Sequence, residues 1–548
     1  MFKSYLKIAL RNSRRHKGFT AINIVGLALG MTCFLLIMRH IQQELEYDAF
    51  HERADHIYRI AVESKTPAGN RFTASTPYPA APALRLEYPE FVKLARTFFY
   101  GESLIEANGK KIYENKFVFE KNALAILSIA GLTLLVGVAA GIYPAFVLSA
   151  FQPAESLKGI KAGRRTGKGA FALRRILVVA QFAISVVLIA STLIIREQLR
   201  FVKQADLGFD RELTLVIPLR DESVRKNYQV IKNEFSKNPK VRAAIACFVA
   251  PLGRNNFGST LYPRGRADEQ RFDIRLNFVD YNFLEGFGLT LLAGRNFSPQ
   301  ISTDAMQAFV INEATLKQLG LREPEEAIGK KVTIGVNDIE GTIIGVIKDF
   351  HHQSMHEVIS PEMMMYWPRW FSEISVKIAP QDISGTLAFL EKGWQQLVPG
   401  FPFQYQFLDD YVASLYLAEE KTERTVEVFS VLAICIACLG LFGLAAFAAE
   451  QRAKEVGIRK VLGASVASVL SLLSKDFVKL VFVANLFAWP IAWYAMNRWL
   501  QNFSYRIEIG WWVFALAGMG ALAVALLTVS TQAIRAALSN PVEALRYE

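Results

Sequence analysis

Six stretches of the chain are apolar for long enough to cross a bilayer: Gly18–Met38, Ala123–Ala150, Ile176–Ile195, Val426–Ala449, Val478–Leu500 and Trp511–Ala533. A crossing needs about 20 mostly apolar residues to cover about 30 Å of hydrocarbon. Ala123–Ala150 carries no charge. Val478–Leu500 is the weakest, with Lys479 near its start, Asn485 inside and Pro490 mid-run. Proline kinks a helix but is tolerated within a membrane bundle. Six such runs exceed what one soluble core needs. Between them the pattern changes. Leu213–Leu219 and Gly341–Val346 read as strands, and Asp273–Val279 alternates like a half-buried strand. Val224–Lys237 and Ile383–Leu397 repeat at helical spacing. The expected fold class is a polytopic α-helical membrane protein of about six transmembrane helices with mixed α/β domains outside the bilayer.

The expected organisation has five parts. Residues 1–40 hold a basic N-terminus and the first transmembrane helix, and 41–122 a short first outside domain. Residues 123–195 carry helices two and three around a basic loop. Residues 196–425 form a full outside domain, and 426–548 hold the last three helices. Lys3, Lys7, Arg11, Arg14, Arg15 and Lys17 precede the first run. That run is longer than the apolar core of a cleaved signal peptide, about 7–15 residues, so it reads as an uncleaved anchor.

Composition agrees. Of 548 residues, 52 % are hydrophobic and 20 % charged, below the roughly 25 % charged of an ordinary soluble domain. Disorder, collagen and a disulfide scaffold are excluded. Of the cysteines, Cys33, Cys435 and Cys438 lie in apolar runs and Cys247 does not. The net charge of +12 is informative through its location. With the N-terminus placed inside, segments 1–17, 151–175, 450–475 and 534–548 are together strongly basic, whereas 41–122 and 196–425 each hold more acids than bases. This is the positive-inside pattern. It puts both termini in the cytoplasm and makes the basicity a topology signal, so no nucleic-acid partner is expected.

A weak internal repeat links AFQPAESLKG (Ala150–Gly159) and LSNPVEALRY (Leu538–Tyr547), which share P-x-E-x-L-[KR] after an apolar run. The chain therefore reads as two related, unequal halves, the first lacking two spans and most of its outside domain.

The most informative inside segment is EQRAKEVGIRKVLGAS (Glu450–Ser465), between spans four and five. Glu450, Arg452, Lys454, Glu455, Arg459 and Lys460 make it polar. Val456, Ile458, Val461 and Leu462 give it an apolar stripe, and Gly457 and Gly463 bracket a short helix. A short amphipathic helix on the membrane face is a docking element. The candidate site is Glu455, Val456, Gly457, Ile458, Arg459, Lys460, Val461, Leu462 and Gly463.

This segment, the preceding CLGLFGLAAFAA (Cys438–Ala449) and the closing NPVEALRYE (Asn540–Glu548) resemble the permease subunits of MacB/FtsX-type ABC transporters. DYNFLEGFGLTLLAGRNFS (Asp280–Ser298), FVINEATLKQLG (Phe309–Gly320) and IIGVIKDFHHQSMHEVISP (Ile343–Pro361) resemble a MacB-like periplasmic core. YDAFHERADHIYRI (Tyr47–Ile60) resembles the start of a first, truncated one. The resemblance implies a non-enzymatic permease in the bacterial inner membrane, shortened in its first half. Its coupling helix is expected to bind a separate cytoplasmic ABC ATPase subunit, and the output is periplasmic mechanotransmission for export or efflux of a peptide, lipid-linked or xenobiotic substrate. The implied partners are membrane lipids, a second permease in a homodimer or heterodimer, a periplasmic adaptor and an outer-membrane channel. The alternative is a non-transporting FtsX-type regulator of periplasmic cell-wall hydrolases. Independently, Val412–Leu439 contains no Gly or Pro, which predicts one unbroken helix joining the outside domain to span four.

Four features point elsewhere and are set aside. GRRTGKG (Gly163–Gly169) has the wrong spacing for a P-loop and reads as a headgroup-facing loop. His351, His352 and His356 form H-H-x-x-x-H beside Asp349. Without an assured third ligand they read as part of the fold rather than a metal site. Asp476 and Lys479 are expected to pair at the membrane interface, and Cys435 and Cys438 to pack as small residues on one helix face. No cofactor or metal is expected.

Overall fold

The computed structural model describes residues 62–66, 69–73, 80–88, 103–107, 110–114, 163–253, 257–263, 271–335 and 338–538. Of the expected first outside domain it describes two hairpins, Val62–Thr66 with Gly69–Thr73 and Ser103–Ala107 with Lys110–Glu114, and the helix Ala80–Glu87. The runs Gly18–Met38 and Ala123–Ala150, the Tyr47–Ile60 motif, Ala150–Gly159 and the closing Asn540–Glu548 lie outside the described residues.

Four long helices form a bundle: α1 (Gly163–Gln204), α4 (Leu417–Gln451), α6 (Val466–Leu500) and α7 (Trp511–Leu538). Among the described residues three helices, α1, α4 and α7, are long and apolar enough to cross a membrane. The fourth, α6, contains the expected run Val478–Leu500, with Pro490 inside it, and packs on α1 and α7. The two remaining expected crossings fall outside the described residues. Gly163–Gly169, expected as a loop, is already helical, because α1 starts at Gly163.

Small residues bring the helices together. Ala484, Ala488 and Ala492 recur every fourth residue on α6, and Ala517, Ala521 and Ala525 on α7, all of them buried. Such stripes let helix backbones approach where no hydrophobic drive acts between them. Between α1 and α4, the hydroxyls of Thr192 and Ser430 meet at 3.1 Å. Phe482, Leu486, Phe487 and Tyr494 on α6 point outward.

Residues 214–407 form the α/β domain between α1 and α4. Its first sheet has four antiparallel strands in the order β11 (Gln406–Phe407), β1 (Thr214–Pro218), β10 (Glu373–Ile378), β2 (Val241–Cys247). Two helices share its core, α2 (Tyr228–Phe235) through Ile231 and Phe235, and α3 (Ile383–Leu397) through Leu390 and Trp394. The remaining strands are inserted between β2 and β10: β3 (Phe257–Pro263), β4 (Phe272–Phe278), β5 (Leu291–Gly294), β6 (Ala308–Asn312), β7 (Lys331–Ile334), β8 (Ile339–Ile347) and β9 (Glu362–Met365). They pair in the order β6-β9-β4-β3-β7-β8-β5, and a parallel β6–β8 pairing closes six of them into a barrel with β5 along its side.

The expected strands at 213–219 and 341–346 and the helix 383–397 are present. Two expectations change. Val224–Lys237 is two helices, Glu222–Lys226 and α2. Asn227, with ψ near 11°, leaves the helical path between them, in line with the competition of asparagine side chains with helical backbone. Asp273–Val279 alternates in sequence, yet Ile274 to Phe278 are buried without interruption. Barrel closure buries the polar positions too: Arg275 lies beside Glu362, and Asn277 donates to the Val249 carbonyl at 3.0 Å.

Candidate functional site

At the end of the bundle away from the α/β domain, α4 stops at Gln451. Arg452 adopts a non-helical conformation, and the chain turns into α5 (Ala453–Val461). The turn is fixed by an ion pair, Arg452 Nη2 to Asp476 Oδ2 of α6 at 2.8 Å. Asp476 was expected to pair with Lys479. The folded corner supplies Arg452 instead. Val456 and Gly457 face inward, and Val456 packs on Val469 and Leu473 of α6 and Ala533 of α7. Glu455 and Arg459 pair one turn apart at 2.9 Å.

Gly463 ends the element. Its φ of +88° is a conformation open to glycine at little cost. The Gly463 amide donates to the Lys460 carbonyl and the Ala464 amide to that of Arg459, which is the Schellman arrangement. Gly457 thus lies inside the helix, and only Gly463 bounds it. Burial divides the nine candidate residues. Val456 and Gly457 anchor the helix, whereas Ile458, Val461 and Leu462 are 52 %, 67 % and 80 % exposed.

A second constellation lies at the opposite end of α4. The expected unbroken helix from Val412 divides into Leu408–Ser414 and α4, with the hydrogen bonds tightening to three-residue spacing at Leu415 and Tyr416. From Leu417 the helix then runs 35 residues, continuing past Gly440 and Gly443, about 50 Å at 1.5 Å per residue. The Tyr416 hydroxyl accepts the Met355 amide at 3.0 Å. His356 bridges Ser354 Oγ (2.7 Å, Nδ1) and Glu419 Oε1 (3.1 Å, Nε2). A carboxylate only accepts, so Nε2 carries the proton. The His356 ring lies between Phe503 (4.2 Å between centroids) and Tyr416 (5.7 Å), nearly parallel to both.

The turn between α6 and α7 completes this junction. The Tyr505 amide donates to the Met355 carbonyl at 3.3 Å and Ser504 Oγ to that of His356 at 2.9 Å. Gln198 of α1, fully buried, donates to the Tyr505 carbonyl and accepts the Ile507 amide, each at 2.9 Å. Beyond α1, Gly208 has a φ of +78° and sits against the Phe350 backbone. This close approach lets the Leu207 carbonyl accept the His351 amide at 2.9 Å.

The segment 351–356 is therefore a loop and not the helix face that a two-histidine metal site requires. Among the described residues no cluster of three or more His, Cys, Asp or Glu is arranged to hold a metal. Its root is sunk in the barrel. His352 Nε2 meets Ser360 Oγ at 3.0 Å, and Arg275 donates to the His352 carbonyl at 3.2 Å. Burial, with the Arg275 charge adding to it, drives the His352 pKa down to about 3. Burial pushes Glu362, next to Arg275, up to about 7. Glu373, which accepts the Ala250 amide, is also raised to about 7 by burial.

The two constellations are an exposed apolar face on α5 at one end of a long helix, and a loop of the α/β domain held at the other. Sequence reading located the first and missed the second. The clasping residues Gln198, Tyr416, Glu419 and Tyr505 are about 60 to 150 positions from the loop, and nothing in their spacing connects them.

Residues 177–388 match the MacB-like periplasmic core domain and residues 427–541 the FtsX-like permease C-terminal domain. No curated protein matches the chain. The periplasmic region of MacB from Actinobacillus actinomycetemcomitans is similar at 16 % identity over 39 % of this chain and 96 % of that one, with a TM-score of 0.29. The extracellular domain of the noncanonic ABC-type transporter YknZ from Gram-positive bacteria is similar at 17 % identity over 39 % and 94 %, with a TM-score of 0.25.

Proposed function

We infer a role from the family to which this chain belongs, the FtsX-like permeases that carry a MacB-like periplasmic core domain: it is the permease subunit of an ABC transporter. It passes motion from a separate cytoplasmic ATPase to the periplasmic domain. Both termini and α5 then face the cytoplasm of a cell with an inner membrane, and the α/β domain faces the periplasm. The work is done in export or efflux of a peptide, lipid-linked or xenobiotic substrate. A second permease copy, an adaptor and an outer-membrane channel complete the assembly.

The observation that carries this reading is the exposed face of α5. Ile458, Val461 and Leu462 are presented beside Arg459 while Val456 and the Arg452–Asp476 pair fix the helix to the bundle. An exposed apolar cluster with a charged rim is a protein-docking surface. Because α5 follows α4 directly across the Arg452 corner, a displacement imposed on it reaches Glu419 and the α/β domain along α4.

Capture of a MacB-type ATPase subunit by the detergent-solubilised chain tests the docking. Replacing both Ile458 and Leu462 by Asp leaves the inward face of α5 and membrane insertion intact. It lowers capture by at least about tenfold, since a buried aliphatic side chain contributes roughly 1.5–3 kcal/mol and about 1.4 kcal/mol is a factor of ten. Undiminished capture removes the docking surface from this face.

A further inference from the structure

The H-H-x-x-x-H segment belongs to no metal-holding cluster among the described residues, yet it is hydrogen-bonded both to the barrel and to the helical bundle. We propose that His351–Glu357 is a latch, a tongue of the α/β domain through which displacement of the membrane helices reaches that domain, with Tyr416 and His356 as its positioning residues. The proposal rests on the permease reading and gives it a specific point of force transfer.

Two independent sets of contacts support it. The root of the tongue is fixed in the barrel. Besides the Ser360 and Arg275 contacts of His352, Asn312 Nδ2 donates to the Ser360 carbonyl at 3.0 Å. Asp349 joins the preceding residues to Ala314 and Glu313. These bonds are buried or half-buried, where a broken pair leaves a costly unsatisfied group. The tip is fixed to three separate pieces of the bundle: the end of α1 through Leu207, the start of α4 through Tyr416 and Glu419, and the α6–α7 turn through Phe503, Ser504 and Tyr505. A shift of α4 relative to α6 and α7 therefore strains or opens the tongue. Two packed arrangements of such an element are what a transmission device requires.

The chemistry of the tip suits a reversible joint. It consists of single hydrogen bonds and stacked rings, each worth little alone, with the backbone of Met355 held from both sides, its amide by Tyr416 and its carbonyl by Tyr505. The His356 ring fills the space between Tyr416 and Phe503, so it sets the distance between α4 and the α6–α7 turn.

Amide hydrogen exchange of the full chain in nanodiscs, alone and with a MacB-type ATPase trapped by Mg·ADP·vanadate, tests the latch. In the wild type the Met355 amide is protected without nucleotide, and trapping changes exchange in the tongue and the barrel strands. Tyr416→Phe deletes one hydroxyl and leaves the ring. It speeds exchange at Met355 about fivefold, as expected for one lost hydrogen bond. His356→Ala and Ser504→Ala act at the same joint, the second with the least risk to folding. All three retain ATPase capture and basal ATP hydrolysis and lose the nucleotide-dependent change in the barrel. Persistence of that change in all three variants, or unaltered Met355 exchange in Tyr416→Phe, overturns the latch. A wild-type chain that captures no ATPase overturns the permease reading and with it the latch, whereas full capture with the nucleotide-dependent change intact in all three variants overturns the latch alone.

Discussion

Glu373 sits half-buried at the start of β10 with a carboxyl group that ordinary solution would ionise well below neutrality. Raised from 4.5 to about 7, it keeps its proton in the folded state over a range where the unfolded chain has lost it. Its stabilising protonation is complete below about pH 4.5 and lost as pH rises towards 7. Glu362 behaves alike. His352, lowered from 6.5 to about 3, acts in the opposite sense and withdraws stability as pH falls from 6.5 to 3. Glu373→Gln removes one glutamate's share. Thermal unfolding of the full chain should show the variant losing less stability than wild type between pH 5 and pH 8, by about 3 kcal/mol, since each tenfold change in proton affinity is worth about 1.4 kcal/mol. Equal losses in both chains would return Glu373 to an ordinary titration. Sequence gives no sign of this. Glu373 looks like any strand-end acid until β1 and β2 flank it and the Ala250 loop covers it.

At the scale of elements, α4 departs from the expected rod in a useful detail. The absence of Gly and Pro from Val412 to Leu439 predicted a rod. Propensity alone does not register the tightening at Leu415 and Tyr416, where the chain enters the clasp with Met355. Nor does it register that Gly440 and Gly443 are carried through within the packed bundle. A flexible point inside the rod separates stiffness from docking. Glu423→Gly with Arg424→Gly lies between the junction and the apolar part of α4 and costs the helix about 2 kcal/mol of propensity. ATPase capture through α5 is expected to stay at the wild-type level. Nucleotide-dependent exchange in the barrel is expected to fall to the unliganded level, and a full response would mean that force travels by α1, α6 or α7 instead. The α5 helix itself was legible because an amphipathic stripe and a terminal glycine are local signals. Its division into an anchoring side at Val456 and a presenting side at Ile458 depends on α6 and α7, which no local pattern reveals.

For the whole molecule, the hydrophobic runs and the charge asymmetry predicted a bundle with an α/β domain outside it, and the helices and family matches agree at that level. The barrel was not legible. Its closure depends on a parallel pairing between β6 and β8, strands whose paired residues are about 35 positions apart with β7 between them, and strand patterns carry no information on partners. The proposed orientation is checked by labelling. In a chain without native cysteines, Leu462→Cys reacts with an impermeant maleimide only in inverted vesicles. Gln395→Cys, on exposed α3, reacts only in right-side-out ones. The reverse pattern reverses the assignment of α5 to the cytoplasm.

The α/β domain leaves the bundle after α1 and returns to it at α4, and the two crossing points are tied together by Lys203 to Glu420 at 2.6 Å and Arg211 to Asp409 at 3.1 Å. An insert whose ends meet side by side is a cassette. The helices below require only that the two stalks stay adjacent and that some loop reach the rim at Tyr416 and Tyr505. Evolution or design can therefore exchange the outer domain for another while keeping the same helices beneath it.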